Sequence, residues 1–160
     1  MRINKSIFIL CLLIFGITYG QKNIGSNAKL FQRAKSLEQA GLNEEAIILY
    51  QQLMETDSKN SQYYLSYKRF LRNSGNQEKI LDIALNFYKH NPEDPSAHFE
   101  WVNALIMNQD ENWEMEANIF INNNYADKIL MRQILFSMYS AGFSHQLNSF
   151  SKKMRELTKD

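Results

Sequence analysis

Cysteine, proline and glycine are all scarce in this chain. Its 160 residues include one Cys, two Pro and six Gly, and 18 Lys and Arg stand against 17 Asp and Glu for a formal charge of +1. A single cysteine excludes a disulfide framework within the chain and a cysteine-rich zinc site. Without a basic surplus there is no electrostatic footprint of general nucleic-acid binding. The glycines beyond Gly20 stand alone, so none builds a phosphate-cradling loop. Apolar residues are plentiful: 44% of the chain is hydrophobic and 12% aromatic. That is enough to bury a core in one domain or in a short repeat array, and it argues against disorder.

The lone cysteine, Cys11, sits inside an uncharged run from Ile7 to Ile17, behind a basic head of Arg2 and Lys5 and ahead of Thr18-Tyr19-Gly20. A basic start, a short apolar run and a small terminal residue predict a secretory signal peptide over 1–20, followed by a polar lead over 21–26. The run is shorter than the about 20 residues of a spanning helix. A buried N-terminal helix and an uncleaved anchor are the other structures it can form. Lipoprotein processing needs a cysteine just after the apolar run, and Gln21 stands there instead. Cleavage after Gly20 leaves 140 residues with 16 basic and 17 acidic side chains, no thiol and no membrane span. The only Asn-x-Ser/Thr match, Asn4-Lys5-Ser6, lies within the signal. Export, to a periplasm or outside the cell, is the expected localisation.

Beyond the signal, Gly41 and Gly75 are 34 residues apart and Gly75 and Gly142 are 67 apart, two periods less one residue. Each glycine separates two apolar-periodic segments, the pattern of a helix–turn–helix hairpin with glycine in the left-handed position that ends the first helix. In the first unit Leu30, Ala34 and Leu37 share a face before Gly41, and Ala46, Tyr50 and Leu53 share one after it. Asn43 is the expected cap of the second helix, with Glu44 and Glu45 at its positive end. A second unit repeats the spacing with Tyr64, Tyr67, Leu71, Gly75, Ile80, Ala84 and Phe87, and Pro92 stops its second helix after Asn91. Asp94-Pro95 then caps and opens the next helix, which carries Trp101, Val102 and Leu105. The turn of this third unit lacks one residue, after which Trp113, Ala117 and Phe120 follow Ile80, Ala84 and Phe87 at a spacing of 33. A fourth unit contains Met131, Ile134, Leu135, Met138, Gly142, Leu147 and Met154, and Ser151-Lys152-Lys153 make its last helix the most polar.

On these residues the chain resembles the tetratricopeptide repeat family, whose unit is 34 residues of paired helices. The likeness spans 27–160, clear over 27–60 and 61–94 and degenerate over 95–127 and 128–160. It implies an all-α fold: an antiparallel helix-pair solenoid of about four repeats. Lys68 departs from the pattern, standing where the family has a small residue, so a wider or re-packed hairpin is expected there. The stretch from Tyr64 to Trp101 also resembles the half-a-tetratricopeptide repeats of RNA-processing factors, which the export signal opposes.

Motifs for catalysis are thin. His90, His98 and His145 lack ligand spacing, and His98 and Glu100, two apart on a helix, point in different directions. Ser149-Phe150-Ser151-Lys152 fits the Ser-x-x-Lys pattern of penicillin-recognising hydrolases, but their companion motifs are missing. Glu111, Glu114 and Glu116 around Trp113 read as a solvated face. No catalytic, metal or cofactor residue is assigned, and the chain reads as non-enzymatic.

The resemblance implies a concave groove lined by the first helix of each pair. Projection onto this sequence places Phe31, Lys35, Arg69, Arg72, Asn73, Phe99, Asn103, Arg132, Phe136 and Tyr139 on that groove, with Glu100 as its one acid. Aromatics supply anchoring area and arginines pair with carboxylates, so an acidic or C-terminal segment of a protein or peptide partner is the expected occupant. Some members of the family clamp a C-terminal carboxylate with basic and asparagine side chains; the basic residues here miss that spacing, and no clamp is assigned. The expected function is an exported protein–protein interaction scaffold. The alternative is a structural accessory subunit that docks into a cell-envelope assembly by its convex or end face.

Overall fold

The computed structural model describes residues 25–158. The export segment at 1–20, with Cys11, and the start of the polar lead lie outside the described residues. The fold is all-α, with no strand among the described residues. A first helix, α1, covers 25–39. It is followed by α2 (Asn43–Thr56), α3 (Ser61–Asn73), α4 (Lys79–His90), α5 (Pro95–Met107), α6 (Trp113–Asn124), α7 (Lys128–Ser140) and α8 (Ser144–Leu157). The chain divides into two compact units, one running to Tyr63 and the other starting at Tyr64.

Two kinds of cap alternate along the helices. α1, α3, α5 and α7 each end on a residue with a left-handed backbone: Gly41 (φ 72°), Gly75 (φ 79°), Gln109 (φ 53°) and Gly142 (φ 87°). The next amide then reaches back five residues to close the helix: Leu42 N–H to the Leu37 carbonyl at 3.0 Å, Asn76 to Leu71 at 2.9 Å, Asp110 to Leu105 at 3.0 Å and Phe143 to Met138 at 2.9 Å. This is the Schellman arrangement, which satisfies carbonyls that a helix end would otherwise leave orphaned. The second kind of cap opens α3, α5 and α7. The Asn60 side-chain oxygen accepts from the Gln62 and Tyr63 amides, Asp94 accepts from Ser96, and Asp127 accepts from Ile129 and Leu130.

The third left-handed residue, Gln109, sits 34 positions after Gly75, where the spacing alone offers no glycine. The buried faces that follow, Ala84 with Phe87 and Ala117 with Phe120, are 33 apart. The missing residue therefore falls between the left-handed position and the core face of α6, and Gly142 comes 33 after Gln109. Asn43 does not cap α2. Leu42 takes that place, because the residue that closes α1 is followed so closely by the helix that its carbonyl already accepts from Ala46 N–H, and no side chain caps α2. Pro92 does follow the end of α4, whose cap is Asn91.

In the first unit Phe31, Ala34, Ala46, Ile47, Tyr50, Leu53 and Tyr63 are buried together. The Phe31 ring lies 6.3 Å edge-on from Tyr50 and 5.0 Å from Tyr63, and the Tyr50 hydroxyl donates to Glu38 at 2.9 Å. In the second unit α5 packs against α4, α6 and α7, and α7 against α8. Ala84, Ala97 and Ala117 have no exposed surface, so backbones approach closely where these small side chains lie. Trp113 stacks on Phe143 at 4.3 Å and lies 5.9 Å from Phe150, filling the space between α6 and α8. Aromatic pairs of this kind add to the area term of burial.

His98 is the one buried imidazole of this core. It stacks on Tyr88 at 4.6 Å, meets the edge of Phe120 at 5.1 Å, and has Nε2 3.7 Å from a Glu116 carboxylate oxygen. Burial lowers its pKa, and the Glu116 charge opposes that without overcoming it.

Two outcomes follow from these features. A Cβ placed on Gly75 or Gly142 meets nothing within 4 Å, so any cost of a side chain there is purely conformational. Gly75→Ala and Gly142→Ala should each lose about 1 kcal/mol in denaturant unfolding, while Gln109→Gly gains about 0.5 kcal/mol by relieving a left-handed glutamine. Gln109→Gly forfeits only a long 3.4 Å bond to the Ala141 carbonyl; a loss of stability in that variant would contradict the cap. For His98 the folded pKa lies below the unfolded value of about 6.5. On acidification the unfolded chain binds the proton first, so stability is complete above that value and declines as pH falls toward the folded pKa. Unfolding free energies between about pH 7.5 and 5.5 should therefore fall in the parent and stay flatter in His98→Gln. A parent that gains stability on acidification would show that the Glu116 carboxylate dominates instead.

Candidate functional site

The candidate groove residues separate on their environments. Phe31 belongs to the core of the first unit, not to an open face: the rings of Tyr50 and Tyr63 cover it, and it is buried. Lys35, one turn on, is half-buried with its ammonium 5.3 Å over the Phe31 ring. All the others lie in the second unit.

There, α3, α5 and α7 bring several of the candidate side chains together. Arg72, near the end of α3, lines a cleft of 430 Å³ with Asn103 of α5 and Phe136 of α7. A second concavity of 320 Å³ is lined by Phe99 of α5 with Arg132 and Phe136 of α7. Phe136 borders both, with 69% of its surface exposed. Tyr139 is 66% exposed on the same helix, and Arg69 and Asn73 are exposed on α3. Asn103 is half-buried and held in place, its side-chain oxygen accepting from the Ser137 hydroxyl at 2.7 Å. Phe99 is half-buried against Phe120, with ring centroids 6.3 Å apart.

Glu100, expected as the one acid of the groove, turns inward. It accepts from the Tyr64 hydroxyl at 2.9 Å and pairs with the Lys68 ammonium, which also lies 5.9 Å over the Tyr64 ring. Lys68 and Glu100 are only 14% and 12% exposed. A partly buried cation is expensive unless paired, so Glu100 is what lets Lys68 sit at a largely buried position of α3. Burial first, and then the Glu100 carboxylate, hold the Tyr64 phenol well above its usual pKa, with nearby Arg72 pulling the other way. Tyr64 thus stays a neutral donor, stacked on Phe87 at 4.3 Å.

Sequence reasoning missed Met107 and Ser140 in the first cleft. Each lies four residues after a residue that was found, Asn103 and Phe136, so the same helix face extended by one turn would have included them. Ile80, from the start of α4, also lines this cleft; nothing in a projection of first helices points to it.

Chemically the clefts offer cations, amides and aromatic surface. The Ser137 hydroxyl faces an amide oxygen and the Gln133 carbonyl, neither of which activates a nucleophile. Of the acids around Trp113, Glu111 and Glu114 are exposed while Glu116 turns to His98. Lys152 reaches Glu156 at 3.9 Å. Among the described residues no three His, Cys, Asp or Glu side chains converge to hold a metal ion, and no helix is long and apolar enough to cross a membrane. No family model matches the chain, no curated protein is similar to it, and no solved structure matches it.

Proposed function

We propose that this protein is an exported, non-enzymatic interaction module. In this reading it is a tetratricopeptide-like solenoid of helix pairs that grips an acidic segment of a partner protein across α3, α5 and α7. The observation that carries it is the placement of Phe136: a largely exposed aromatic ring between two clefts, with Arg72 bordering one and Arg132 the other. An exposed ring offers anchoring area to an apolar side chain, and flanking guanidinium groups pair with carboxylates on either side of it. The inward turn of Glu100 supports an acidic occupant, because it leaves the lining of both clefts without a carboxylate among the described residues. Support for the repeat comes from the recurrence of both caps: left-handed residues at 41, 75, 109 and 142, and Asx caps at 60, 94 and 127.

A structural docking role has one observation in its favour. Met115 and Ile119 lie one turn apart on α6 and are both exposed, an apolar pair suited to an assembly contact.

Quantitative recovery of a crosslinked partner from envelope extracts separates the two. Arg72→Glu combined with Phe136→Ala should lower recovery at least about tenfold, the scale of a hot-spot loss, while Met115→Glu combined with Ile119→Glu leaves it unchanged. The opposite pattern would favour docking through α6. Mass measurement of the exported protein is expected to give a chain that starts at Gln21; a retained N-terminus would remove the cleavage after Gly20.

A further inference from the structure

A third cleft, of 530 Å³, opens between α7 and α8, and its chemistry differs from that of the other two. Its apolar wall is Met131 and Leu135 of α7 and Met154 of α8, while Lys128, Arg132 and Arg155 stand around it. Among the described residues, no carboxylate lines the cleft. None of these three cations makes an ion pair among the described residues. The nearest acids in sequence are committed elsewhere: Asp127 accepts from the Ile129 and Leu130 amides, and Glu156 faces Lys152 at 3.9 Å.

The spacing makes this placement systematic. Lys128 and Arg132 are one turn apart on α7, as are Met131 and Leu135 beside them, so a basic stripe runs along an apolar one. Met154 and Arg155 bring the same two kinds of side chain from α8. Long basic side chains lay their methylene stems over apolar surface and hold their charge at its edge. Lys128 also opens α7, the end at which the helix dipole disfavours a cation and favours an anion. Three like charges around an apolar cleft repel one another, and an anionic group among them relieves that repulsion.

We propose that the α7–α8 cleft binds a single-chain amphiphilic anion, its apolar chain against Met131, Leu135 and Met154 and its carboxylate held by Lys128, Arg132 and Arg155. The volume lies within the range of small-molecule sites, and guanidinium forks match carboxylate geometry. The site is separate from the Phe136 clefts except for Arg132, which borders both regions.

Decanoate is the probe, titrated calorimetrically into the full chain below its micellar concentration, with decanol and acetate as partners lacking the charge or the chain. Decanoate should bind at one site, and decanol and acetate should each bind at least about tenfold more weakly. Lys128→Gln combined with Arg155→Gln, both exposed positions, should weaken decanoate by about tenfold with helical circular dichroism unchanged. Arg72→Glu with Phe136→Ala should bind decanoate as the parent does, which keeps this site distinguishable from the proposed partner groove. Equal binding of decanol and decanoate, an unaffected Lys128/Arg155 variant, or loss in the Arg72/Phe136 variant would each overturn the assignment. Retention on anionic lipid vesicles without decanoate binding would overturn it in favour of a membrane-surface contact.

Discussion

Every helix pair in this protein depends on one residue that adopts a left-handed backbone. A helix cannot reverse within two or three residues unless its last carbonyls find donors, and the left-handed residue swings the following amide back to supply one. Here that donor is Leu42, Asn76, Asp110 or Phe143, and in each case it returns to an apolar residue of the helix just ended: Leu37, Leu71, Leu105 or Met138. The last three of those residues are buried. The hydrogen bond that stops the helix is thus anchored on a side chain held by the core, so the turn and the packing fix each other. Glycine meets the backbone requirement at little cost. Gln109 meets it with a strain that the surrounding packing must offset.

The second kind of cap gives the alternation its direction. Asn60, Asp94 and Asp127 open α3, α5 and α7, whereas α2, α4, α6 and α8 follow their turns with no side-chain cap. The difference is physical. After Gly41 and Gly142 the chain enters the next helix almost at once, and Leu42 and Phe143 end one helix and cap the next through backbone alone. Where the chain leaves α2, α4 or α6, a carboxylate or amide side chain takes up the amides that open the following helix. The one-residue deletion near α6 is tolerated because it falls between these fixed points and moves the core face without removing a cap.

What could be read in the sequence follows the same division. Gly41, Gly75 and Gly142 and the Asp94-Pro95 pair announce their turns because their side chains are specialised for them. Gln109 carries no such mark, so only its distance from Gly75 could have exposed it. Asn43 misleads because a good capping residue stands one place too late. Phe31 and Phe136 were indistinguishable as aromatics on projected faces, and neighbours remote in sequence decide their fates. Tyr50 and Tyr63 cover Phe31, whereas Phe136 stays largely exposed. Lys68 was visible as an anomaly, but its solution, Glu100, lies 32 residues away.

That solution belongs to a wider asymmetry between the two signs of charge. With 18 basic and 17 acidic residues the chain is nearly neutral, and neutrality alone suggests a surface without polarity. Several of the acids, however, are drawn inward or into backbone caps. Glu38 accepts from Tyr50, Glu100 from Tyr64 and Lys68, and Glu116 faces His98. Asp94, Asp110 and Asp127 accept amides at helix starts and turns. Carboxylates are the natural choice for these tasks, being compact acceptors, whereas lysine and arginine only donate and keep their heads in water. The structural work of the fold thus takes up these carboxylates, and Arg72, Arg132, Lys128 and Arg155 line clefts to which no described carboxylate contributes. A neutral composition is thereby compatible with clefts whose described charged lining is of a single sign, without any excess of basic residues.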